Sequence, residues 1–150
     1  MANINRENSI SPTISAQLIA HYTDAHYRIG TPAESITLRI DQYSAPLAQL
    51  LAASHPSCAA IISAYNPYSE LLSDEENSAA HASLGKFLMR HTYPVIEGLN
   101  IDPAGVWPTE KSFFIPGIDI NTAKSLGQQF RQNAIVWIGR DAIPRLVLLY

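Results

Sequence analysis

Two carboxylates in this chain stand where acid–base chemistry could be done. Glu76 lies in S-D-E-E-N (Ser73–Asn77), and Glu110 lies in W-P-T-E-K-S (Trp107–Ser112). A general acid or base must reach the proton it moves, and it works best when its surroundings shift its pKa. Around these two are side chains that bind and orient well but catalyse poorly: Asn66, Ser69 and Asn77 in the first stretch, Ser112 in the second, and Gln132 and Asn133 in R-Q-N-A-I-V. Trp107, in a proline-rich loop, offers a flat face for stacking. Arg131 is the base that would meet an anion.

Local backbone chemistry accounts for several of the same residues. Ser73 and Glu76 have the S-x-x-E spacing of a capping box, in which each side chain satisfies the other residue's backbone N–H. Asp74 and Glu75 then fall in a first helical turn, where the helix dipole favours negative charge. Asn66 precedes Pro67, which disfavours helical geometry at Asn66 and suits an Asx turn to the backbone two residues on. Asn133 suits a left-handed helix cap. Asn77 is less easily explained, because a polar amide on the buried edge of a helix needs a partner.

Other signatures of chemistry are missing. The seven glycines form neither a dinucleotide-binding G-x-G-x-x-G nor a P-loop. There is no C-x-x-C, no H-E-x-x-H and no G-x-S-x-G elbow, and no two of the five histidines share i,i+4 spacing. No metal site and no cofactor are expected. His81, two turns beyond Ser73, reads as a surface histidine.

The elements that must position these residues follow from apolar periodicity. Ser11, Pro12 and Gly30 bracket a helix with Ile14, Leu18, Tyr22 and Ala25 on one face. S-I-T-L-R-I-D alternates as a half-buried strand from Ser35. Ser44 caps a short helix with Leu47, Leu50 and Leu51 as its stripe. C-A-A-I-I-S, opened by the lone Cys58, reads as a strand buried on both faces. Ala80, Leu84, Phe87, Leu88 and His91 mark the clearest helix. T-Y-P-V-I-E-G-L reads as a strand, with Glu97-Gly98 at its end, and N-I-D-P-A-G-V-W-P-T-E-K as a loop. S-F-F-I-P-G-I is a strand near an edge or ending at Pro116. Asp119 or Asn121 caps a helix with Ala123, Leu126 and Phe130 inward, and N-A-I-V-W-I-G and P-R-L-V-L-L-Y close the chain as a hairpin around R-D-A-I.

This order predicts an α+β fold: a single mixed or mostly antiparallel sheet, helices largely on one face, and a C-terminal β-hairpin. A flavodoxin-like parallel sheet is the alternative, disfavoured because the last strands are joined too tightly for parallel crossovers. Residues 1–10 read as a flexible tail and 11–150 as a single globular domain.

The bulk numbers limit partners. The chain has 150 residues, 47% of them apolar, and a formal net charge of −3. That is enough length for one core, and the charge makes extended nucleic-acid binding unexpected. No apolar run approaches the ~20 residues that span a bilayer, so no membrane association is expected. One cysteine and no apolar leader point to the cytoplasm. Charge is uneven: four acids and no base between Asn66 and Ala80, but five bases against three acids from Glu110 onward. A small anionic molecule or a protein partner would suit that asymmetry.

Three blocks in order, A-Y-N-P-Y-S-E-L-L-S-D-E-E-N, W-P-T-E-K-S-F-F-I-P-G-I-D and F-R-Q-N-A-I-V-W, resemble a bacterial family of small domains of unknown function. Its blocks are N-P-x-S…L-S-x-x-E-N, W-P-x-E-x-S and F-x-Q-N-A-I-V, and the likeness runs over roughly residues 14 to 148. The resemblance implies a compact α/β-type domain without assigning it an activity. Its shared polar positions fall on Asn66, Ser69, Ser73, Glu76, Asn77, Glu110, Ser112, Gln132 and Asn133. The family often has a base soon after the E-N pair, whereas this chain has S-A-A-H, ending in His81.

Two functions are therefore weighed. The first is a ligand- or partner-binding, regulatory module with an amide-rich polar pocket. The second is a small hydrolase or transferase acting on a nucleotide-like or phosphorylated substrate, with Glu76 or Glu110 as its acid or base.

Overall fold

The computed structural model describes residues 14–150. The tail expected over residues 1–10, and Ser11 and Pro12 of the first helix, lie outside the described residues. Within them the elements are α1 (Ala16–Asp24), β1 (His26–Thr31), β2 (Glu34–Leu38), α2 (Ala45–Ala52), β3 (Ala59–Ile62), a 3-10 turn (Pro67–Ser69), α3 (Asp74–Arg90), β4 (Ile96–Ile101), β5 (Glu110–Pro116), α4 (Ile120–Gln129), β6 (Ala134–Ile138) and β7 (Pro144–Leu148). The strands form one sheet in the order β2-β1-β4-β5-β3-β6-β7. Every pairing is antiparallel, so the fold is α+β with the expected C-terminal hairpin, and the parallel alternative falls.

Strand β3 is the spine. Its four residues are all buried, because β5 and β6 flank it and helices cover both its faces. Ala59 and Ile61 pack with Tyr27, Leu38, Phe114 and Val136 beneath Leu47 and Leu51 of α2. Ala60 and Ile62 pack with Phe113, Ile115 and Ile135 beneath Leu84 and Leu88 of α3 and Ala123 and Leu126 of α4. The two longer helices thus share one face, and the shorter α2 lies on the other.

Capping explains where the helices begin. Ser44 Oγ accepts from the Leu47 N–H at 3.2 Å, and Asp119 accepts from the Thr122 N–H at 2.9 Å. Ser73 and Glu76 form the full capping box. α4 ends in a Schellman pattern: Gln132 N–H donates to Gly127 O and Arg131 N–H to Gln128 O. Arg131, with φ 59°, takes the left-handed position there, where the sequence suggested Asn133.

Two boundaries differ from expectation. The first helix starts at its Ser15 cap and stops at Asp24, and the residues read as its last turns are β1. Tyr27 and Ile29 are buried alternately along that strand, because β4 and β2 pair with its two edges. Gly30 (φ +101°) therefore belongs to the β1–β2 hairpin rather than to a helix end. Glu97 and Gly98 sit inside β4, not at its end, and a Cβ at Gly98 would run into the Arg28 carbonyl oxygen. Strand β5 ends at Pro116 but lies in the sheet interior, between β4 and β3.

Candidate functional site

Glu110 opens β5, and the pairing of β4 with β5 sets Asn100 directly across from it. The β1–β4 register sets Tyr27 across from Asn100. Residues opposed in an antiparallel pair project from the same face. Tyr27, Asn100 and Glu110 thus form a row across three strands, beneath α1.

A network of amides stands behind Glu110. Asn66 follows β3 in a left-handed conformation, φ 46° and ψ 65°, and is 4% exposed. Its Nδ2 donates to Glu110 Oε2 at 2.8 Å. Its Oδ1 accepts from the Leu72 N–H at 2.9 Å and from Asn77 Nδ2 at 3.0 Å. Its own N–H donates to Asn77 Oδ1 at 2.9 Å. Asn66 therefore does not make the Asx turn two residues on, and its side chain leaves the turn for β5 and α3. Asn77, 4% exposed in the first turns of α3, has Asn66 as the partner a buried amide requires.

Trp107 completes Glu110's shell. Its Nε1 donates to the same Oε2 at 3.0 Å. Trp107 is itself held by Asp102, whose carboxylate accepts from the N–H groups of Ala104, Val106 and Trp107 at 2.8–3.0 Å. Those bonds, that of Trp107 first, hold the Asp102 pKa below the usual carboxylate range. His21 Nδ1 lies 4.0 Å from Asp102 Oδ2. For Glu110 burial outweighs its two hydrogen bonds and raises the pKa. Tyr27 is raised as well, by burial first and by the Glu110 charge second.

A second node is built on Tyr22 of α1. Asn133 Nδ2 donates to Tyr22 Oη at 3.2 Å and to Ser69 Oγ at 3.1 Å, and those two hydroxyls bond each other. Gln132 Nε2 donates to the carbonyls of Tyr65 and Phe130. The loops meet through strained backbone. Asn66, Tyr68, Ser69 and Arg131 all have positive φ, an uncommon setting for residues other than glycine, and the Tyr68 N–H donates to Arg131 O at 2.7 Å.

Between α1 and the sheet is a cavity of about 70 Å³, several times the space one water needs. Leu18, His21 and Tyr22 of α1 wall one side; Tyr27, Asn100, Asp102, Trp107 and Glu110 are on another; Ile61, Ser63, Gln132, Val136 and Leu146 are among the rest of the lining. Of the residues singled out from sequence, Glu110, Trp107 and Gln132 thus border it. Asn66 and Asn77 stand one layer back, behind Glu110. Ser69 and Asn133 stand behind Tyr22. Ser112 is buried two residues along β5 from Glu110, and the lining does not include it.

Glu76 is exposed, and its Oε1 accepts from Ser73 N and Ser73 Oγ. That is a helix cap, outside the cavity lining. Arg131 is exposed at the end of α4 and outside the lining. His81 is not the surface residue expected. Its ring stacks on Phe113 at 4.3 Å, with Nε2 3.3 Å from Glu97 Oε1 and a side chain only 12% exposed. Among the described residues no three His, Cys, Asp or Glu side chains are grouped to hold a metal, and no helix is long and apolar enough to cross a membrane.

The sequence reading missed Tyr22, Tyr27, Asn100 and Asp102 as site residues. Tyr27 was hidden by assigning its segment to a helix. Asp102 had a readable signal, since Asp before Pro-x-Gly is a turn in which the carboxylate captures backbone N–H groups.

Fold and site together define an α+β domain with a partly buried carboxylate at the wall of a small cavity. Residues 62–135 match the model of a family described as "Protein of unknown function (DUF3293)", so the resemblance to a family of domains of unknown function holds over that stretch. The match begins at the end of β3 and ends in β6, taking in Asn66, Asn77, Trp107, Glu110 and Asn133 but not α1. No curated protein and no solved structure matches the chain.

Proposed function

We propose that this protein is a small-molecule-binding module, with the ligand seated in the cavity between α1 and the sheet. One observation carries this reading. Glu110 is held on Oε2 by Asn66 and Trp107, and no described residue donates to Oε1. A preformed cavity with a mostly apolar lining and a few convergent polar groups is a common form of small-ligand site. Binding is favoured over turnover because the wall's hydroxyls are already engaged: Tyr27 Oη donates to Tyr22 O at 2.6 Å, Ser63 Oγ to Lys111 O at 2.8 Å, and Tyr22 Oη is bonded to Ser69 and Asn133. The lone Cys58 supports a cytoplasmic setting, and the motif blocks a bacterial source.

A metabolite library read by thermal shift tests this. Hits are expected that raise the melting temperature of the wild type and lose their effect in Leu18→Trp, which fills the cavity from α1. Hits that persist undiminished in a folded Leu18→Trp protein would place binding elsewhere.

The hydrolase or transferase reading retains one observation in its favour: burial raises the Glu110 pKa, as in many catalytic acids and bases. Turnover of any hit, lost in Glu110→Gln, would establish it.

A further inference from the structure

Several polar groups of the cavity wall are already satisfied within the protein. Four of its donors have partners there. Trp107 Nε1 serves Glu110, Gln132 Nε2 serves two carbonyls, and the hydroxyls of Tyr27 and Ser63 serve two more. Two acceptors of the wall are left without a donor. Glu110 Oε1 has no described donor, and Asn100 Oδ1, directly across the strand pair, is buried without a partner. A buried acceptor without a donor is costly, so a ligand that donates would relieve Asn100 Oδ1, and the open Glu110 Oε1 stands ready to accept from the same group.

Charge points the same way. The wall carries two carboxylates, Glu110 and Asp102, and no Lys or Arg side chain. His21 is its one basic group, and it faces Asp102. Tyr22, Tyr27 and Trp107 add three aromatic rings, whose faces attract cations. A bound metal ion is a poorer fit, because hard cations take six or more oxygen ligands and no cluster of three ligating side chains forms among the described residues.

We propose that the ligand's anchoring group is a cation, an ammonium or guanidinium head on a small organic molecule, bonded to Glu110 Oε1 and Asn100 Oδ1 against the Trp107 ring. This rests on the cavity being a ligand site, as proposed above, and it replaces the anionic ligand suggested by the overall charge asymmetry. The bases behind that suggestion, Arg131 among them, do not line the cavity.

The test uses three probes of similar size and different charge: methylguanidinium, methylurea and acetate. Each is titrated into the 15N-labelled full chain, and the indole N–H signal of Trp107 is followed, told apart from that of Trp137 in a Trp137→Phe variant. Methylguanidinium is expected to shift the Trp107 signal and to bind at least about tenfold more tightly than methylurea, as a charge-assisted bond to carboxylate should. Acetate is expected to leave it unmoved. In Glu110→Gln the preference for methylguanidinium over methylurea should vanish; the wild-type comparison stands even where that variant does not fold. Methylurea binding as tightly as methylguanidinium, or acetate binding best, overturns the cation while leaving the cavity as a ligand site. Silence from all three probes overturns the cation as well, and the library screen with Leu18→Trp then judges the cavity separately.

Discussion

The two faces of the sheet are finished in opposite ways. On one, α3 and α4 press Leu84, Leu88, Ala123 and Leu126 into a dry core with Phe113, Ile115 and Ile135. Even a methyl at Gly127 would crowd Ile135 and Leu149, each 2.7 Å away. On the other, α2 seals part of the sheet, but α1 buries no residue fully and stands over a cavity. The cavity and the Glu110 carboxylate lie under α1, whereas α3 and α4 cover a packed apolar cluster. A close-packed face loses stability when any atom is removed, whereas a face that keeps a hole can keep unpaired polar groups for a ligand.

The largest effect should come from the dry face. Leu84 is fully buried, so Leu84→Ala should cost about 2–5 kcal/mol, measured by urea unfolding. Probe binding by the fraction that remains folded should be unchanged. A loss of binding without a loss of stability would mean that the faces are not separate in function.

The next effect belongs to the cavity face and has a definite sign. Burial raises the folded-state pKa of Glu110 above its unfolded value. Protonated Glu110 is therefore favoured by folding. Its contribution to stability is fully present below the unfolded carboxyl pKa and is lost as pH rises through the raised folded value. In Glu110→Gln that part of the fall in stability should disappear, so wild-type and variant unfolding curves should converge at low pH and separate in favour of the variant as pH rises. Parallel pH profiles would show that Glu110 is well solvated and would weaken the contrast between the faces.

The smallest effect separates the two carboxylates that the sequence presented as equals. Ser73→Ala removes the α3 cap and should cost about 1 kcal/mol, read as a lowered melting temperature. Methylguanidinium affinity should stay as in the wild type. Weakened binding would tie the start of α3 to the cavity through Asn77.

Much of this was legible locally. Ser73 and Glu76 form their box because partners three residues apart meet in any helix start. The continuous apolar run at Ala59–Ile62 gave a strand buried on both faces, and the short connection between β6 and β7 required a hairpin. β1 was not legible, because Leu18, Tyr22 and Ala25 continue a helical spacing into residues that also alternate as Ala25, Tyr27 and Ile29. One sequence supports both periods, and the edge of β4 decides between them.

The chain by itself determined its caps, its amphipathic stripes, its central strand and its closing hairpin. All of these depend on contacts within a few residues. Only the tertiary structure decided the site. Asn66 meets Glu110 across 44 positions, and Tyr22 meets Asn133 across 111. No periodicity encodes such contacts, because strand order and register bring these residues together. That is why Glu76 and Glu110, similar on the page, end as a helix cap in solvent and a carboxylate at a cavity wall.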